Sequence, residues 1–150
     1  MARAPMSERF RGLRASLVMV LVAVLCALAL GALWALASTF GLEPPVWLAF
    51  PAGMAMAAVL RFSHPQPRGV AVTLAGLGTL LAGFYAECLQ LLMHIAAQLG
   101  LPLIEVIRTS GIVGSAPLAW RLLPAPHLLI YVLAAALAAF LTALPRSARP

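Results

Sequence analysis

TLLAGFYAECLQLLMHIAAQ, residues 79–98, sits in the longest apolar run of the chain and carries Glu87, Gln90, His94 and Gln98 within it. Their spacing is i, i+3, i+7, i+11, and at about 100° per residue the four fall within roughly 80° of one helix face. Extended backwards, that face holds Gly76 and Gly83, with Thr79 at its edge. One helix therefore offers a seam of small residues at one end and a polar ladder at the other. What surrounds such a helix decides the fold.

The surroundings are overwhelmingly apolar. Of 150 residues, 63% are hydrophobic and 9% charged, with a mean hydropathy of +1.02. A soluble domain needs far more polar surface than this, so lipid or other membrane protein must solvate most of these side chains. Twelve prolines and eleven glycines fall mostly between apolar runs or at their ends. The pattern predicts an all-α membrane protein with several crossings.

Four runs are candidate crossings, at about residues 15–37, 45–60, 70–99 and 127–144. The first follows a basic leader, residues 1–14, and holds 22 consecutive uncharged residues, 15–36. At 1.5 Å per residue that is enough for about 30 Å of hydrocarbon. Ala35-Leu36-Ala37 also resembles a signal-peptide cleavage site, but the apolar core exceeds the usual ~7–15 residues, which favours a retained helix. The second run is short and interrupted by Pro51 and Gly53, so a kinked helix between longer neighbours is expected. The loop that follows, from Arg61 to Arg68, contains His64 and two prolines. The third run exceeds one crossing and must tilt, kink at its glycines or project.

Residues 101–126 form the longest connection. Glu105 and Arg108 stand at i, i+3 in what reads as a short amphipathic helix, and Arg108 and Arg121 leave too few residues between them to span. One or two interfacial helices are expected here, re-entrant or lying in the interface, with Trp120 as an anchor. The fourth crossing ends before a short tail, 146–150.

Every basic residue is Arg, and Lys, Asp and Asn are absent, a bias in keeping with a GC-rich bacterial coding sequence. Four crossings with a cytoplasmic N-terminus place Arg3, Arg9, Arg11, Arg14, Arg61, Arg68, Arg146 and Arg149 on one side. Only Arg108 and Arg121 fall on the other. This asymmetry predicts a multi-pass protein of a bacterial inner membrane, with both termini cytoplasmic and Glu43 outside. The net charge of +6 is then explained by topology and anionic lipid headgroups, without a nucleic-acid partner.

Catalytic and cofactor motifs are missing. Glu87 and His94 are about 10.5 Å apart along a helix axis, too far to share an ion without help from another helix. Cys26 and Cys88 have no ligand-like spacing and read as small buried hydrophobes. Ser63, Ser110 and Ser115 lie in connections without a nucleophile motif. No cofactor is expected. Glu87 is the only acid inside an apolar run, and such residues usually face protein, find a partner or mark a path for protons or ligands.

Three functions follow. The first is a non-catalytic subunit that pairs with itself or another membrane protein through the Gly76–Gln98 face of the third crossing. The second is a small transporter or a proton- or quinone-handling subunit that uses Glu87 and His94. The third is an intramembrane enzyme with one of these as acid or base.

Overall fold

The computed structural model describes residues 6–40, 45–62 and 67–145. Glu43, Ser63, His64, Arg146 and Arg149 lie outside these, as does Arg3 of the leader. Of the described residues 92% are helical, and none is in a strand. The helices are α1 (Met6–Thr39), α2 (Ala49–Phe62, entered through a 3₁₀ turn at Pro45–Leu48), α3 (Arg68–Leu99), α4 (Leu103–Ser110), α5 (Ile112–Leu122) and α6 (Ala125–Ala143). Among the described residues three segments are long and apolar enough to cross a membrane: Ser16–Thr39, Arg68–Leu99 and Ala125–Ala143. Val46–Phe62 is apolar but shorter.

The prolines explain most boundaries. Pro67, Pro102 and Pro124 stand immediately before α3, α4 and α6. Pro51 does not interrupt α2 as its sequence suggests. It is the third residue of that helix, within the first turn, where a backbone N–H has no intrahelical acceptor to lose. Between Pro67 and Pro102 there is no proline, and α3 runs unbroken over 32 residues. It stops at Gly100, whose left-handed φ of 63° permits a Schellman closure. Leu101 N–H donates to Ala96 O (3.1 Å) and Gly100 N–H to Ala97 O (3.4 Å).

Helix α3 is the hub, in contact with every other helix. Near its start, Ala75 shares a core with Met19, Ala23 and Ala27 of α1, Met56 and Leu60 of α2, and Ala138 of α6. Further along, Ala86 packs with Trp34, Ala49, Tyr131 and Ala134. This register makes α1 parallel to α3, with α2 and α6 running the opposite way. The core is largely alanine, and small side chains let helix backbones approach closely where no hydrophobic force drives them together. A Cβ on Gly31 would come within 2.6 Å of Ala82 O and 3.4 Å of Ala86 N, so α1 meets α3 backbone to backbone there.

The last turns of α3 extend past the ends of its neighbours and are covered by α4 and α5. Leu92, Ala96 and Val106 form a third buried cluster, flanked by Ile95, Leu103, Ile107 and Ile112. At the opposite end of the bundle, Arg61 Nη1 donates to Leu141 O at 2.8 Å. This satisfies one of the carbonyls that the final turn of α6 leaves without a helical partner.

Candidate functional site

The helix face that carries the polar ladder is divided by its neighbours. Its small end lies against α6: a Cβ on Gly83 would sit 3.4 Å from the Tyr131 ring, and one on Gly76 would sit 3.7 Å from Ala135 O. One turn beyond Gly83, Glu87 meets two donors from the first turns of α6. His127 Nδ1 lies 3.0 Å from Glu87 Oε1, and the Tyr131 hydroxyl donates to the same oxygen. With Glu87 as a carboxylate, whose oxygens only accept, His127 donates from Nδ1 in this contact.

The cluster is half-buried, with side-chain exposures of 18% for Glu87 and 31% for His127. Tyr131 is buried, and Trp34 of α1 stands edge-on to its ring with centroids 5.6 Å apart at 83°. The indole N–H of Trp34 has no hydrogen-bond partner among the described residues. Three helices thus fix the phenol whose hydroxyl reaches Glu87.

Past Glu87 the face opens. Gln90 and His94 line a cavity of about 580 Å³, together with Glu87 and Met93. Its other walls are Ser38 and Thr39 at the end of α1, and Ala119, Leu122 and Leu123 at the end of α5. His94 and Gln98 are exposed, and their side chains are joined between His94 Nε2 and Gln98 Nε2 at 3.0 Å. Of the ladder's three steps this is the one that is hydrogen-bonded. Among the described residues nothing links Gln90 to Glu87 or to His94.

The remaining candidates lie apart from the cavity. Glu105 and Arg108 are exposed on α4 and form no ion pair with each other. Cys88 is buried and faces Ser115 of α5; Cys26 is half-buried in α1, and both thiols are free. Among the described residues, no three of His, Cys, Asp and Glu gather as a metal site would require.

His127 and Tyr131 were the residues hidden from sequence reasoning. They stand at i, i+4, on one face of the most apolar helix, and that spacing was the available signal. Comparison with protein-family models, curated proteins and solved structures finds no match for this chain.

Proposed function

We propose that this chain is a four-crossing protein of a bacterial inner membrane, with both termini in the cytoplasm, that works as a small ligand- or proton-handling subunit through the cavity beside Glu87. The observation that carries the proposal is the convergence of His127 and Tyr131 on one carboxylate oxygen at the wall of that cavity. The cavity is an open groove between helix ends, and its volume falls within the range of about 300–1,000 Å³ common to ligand sites, which hold a few placed polar groups in apolar walls.

The alternating directions of α1, α2, α3 and α6 support the topology. The 17 residues of Val46–Phe62 cover about 25 Å, a short but sufficient crossing where the bilayer adapts. Arg61 and Arg68 then share the cytoplasmic end with the start of α1 and the end of α6. Helices α4 and α5 lie at the outer interface, with Ile104, Val113 and Trp120 exposed toward the headgroups.

A second reading keeps the chain as a non-catalytic subunit of a membrane complex. It is favoured by His94 and Gln98, which lie exposed beyond the part of the face that α6 covers. Glu87 Oε1 already receives two donors from α6, which moves the weight toward the cavity.

Purification in native-membrane nanodiscs, followed by mass spectrometry of bound small molecules, tests the leading reading. The wild type should retain an amphiphilic species that Met93→Trp, which fills the cavity, loses. Identical retention by both proteins overturns it.

A further inference from the structure

We propose that the cavity takes an organic cation: an amphiphile with an N–H-bearing ammonium group at Glu87 and an apolar body against the α3 and α5 walls. This rests on the cavity reading above and adds the chemistry of the ligand.

Three polar side chains of the wall, Glu87, Ser38 and Thr39, are arranged to accept, while Gln90 and His94 also carry N–H donors. Glu87 Oε1 already receives two donors, while Oε2 has no partner among the described residues. Ser38 Oγ gives its hydrogen to Ala35 O at 2.6 Å, and Thr39 Oγ1 gives its own to Leu36 O at 2.6 Å. Each hydroxyl therefore presents lone pairs to anything that enters. Among the described residues no Arg lines the cavity, and the chain has no Lys.

The backbone adds to this bias. Helices α1 and α5 both end at the cavity, at Thr39 and Leu122. Helix C-termini carry partial negative charge and favour cations. A carboxylate, two helix C-termini and two committed hydroxyls outweigh the single N-terminus of α6 beside Leu123, and favour an ammonium group over a phosphate or carboxylate ligand. Leu91, Met93 and Leu122 then supply the apolar surface that a simple inorganic cation would leave unused.

Isothermal titration calorimetry on the protein in phosphatidylcholine nanodiscs, with empty discs as the blank, tests the assignment. The probes are octylammonium, octanol and octanoate. Octylammonium should bind saturably and lose at least tenfold in affinity in both Glu87→Gln and Met93→Trp. Octanol should bind at least tenfold more weakly, and octanoate should give no saturable signal. Met93→Trp leaves the Glu87–His127–Tyr131 cluster in place, so the test does not depend on how well Glu87→Gln folds. Octanol or octanoate binding as tightly as octylammonium, with the same sensitivity to Met93→Trp, overturns the cation assignment and leaves the cavity reading standing. If no probe gives a signal that Met93→Trp reduces, both are overturned.

Discussion

His127 and Glu87 are 40 residues apart in sequence and 3.0 Å apart across the α3–α6 contact. Their bond, with that of Tyr131, turns an acid on an apolar helix from a liability into part of the helix packing. Interhelical hydrogen bonds in membrane proteins average about 0.6 kcal/mol and reach about 1.7. Tyr131→Phe should therefore lower stability by about 1 kcal/mol, read from unfolding in mild detergent. In a double-mutant cycle with Glu87→Gln, the two losses should fall short of additive. Full additivity would mean that the hydroxyl and the carboxylate do not act together.

Gly31→Ala should cost about 1–3 kcal/mol, because the new methyl group meets the backbone of α3 at Ala82 and Ala86. Gly78→Ala is the matched control. Its nearest obstacle is the Met56 side chain, at 2.9 Å, which has the freedom to turn aside. Thermal unfolding should rank the two variants in that order; the reverse ranking would place the tight α1–α3 contact elsewhere.

Helix periodicity and proline spacing made most of this architecture legible. Apolar runs bounded by Pro67 and Pro102 mark α3, and the Pro124-Ala125-Pro126 stretch marks the start of α6. Pro51 misled because the sequence does not reveal that a 3₁₀ turn comes first and moves the proline into the opening turn of α2. The polar face of α3 was visible, but its division was not. Which part of it is covered depends on α6, more than 30 residues away, and the cavity depends on the ends of α1 and α5. Such relations are tertiary, and one helix cannot encode them.

Arg61→Met should destabilise the C-terminal end of α6 by about 1 kcal/mol, since Leu141 O loses a charged donor in a half-buried setting. Hydrogen exchange across residues 139–143 should quicken in this variant. Unchanged exchange would show that the carbonyl finds another donor.

The four-crossing topology predicts which sites a membrane-impermeant maleimide reaches in intact cells once Cys26 and Cys88 are replaced by alanine. Thr109→Cys, exposed at the end of α4, should be labelled from outside. Phe62→Cys, exposed at the end of α2, should be labelled only after lysis. Labelling of both from outside would sink the arrangement.

The sequence distance between Glu87 and its donors also sets a schedule. His127 and Tyr131 leave the ribosome 40 and 44 residues after Glu87, a delay of roughly 2–9 s at about 5–20 residues per second. For that interval α3 is made and its acid has neither donor. The α3–α6 contact that buries Tyr131 and pairs Glu87 therefore completes only once α6 has been made.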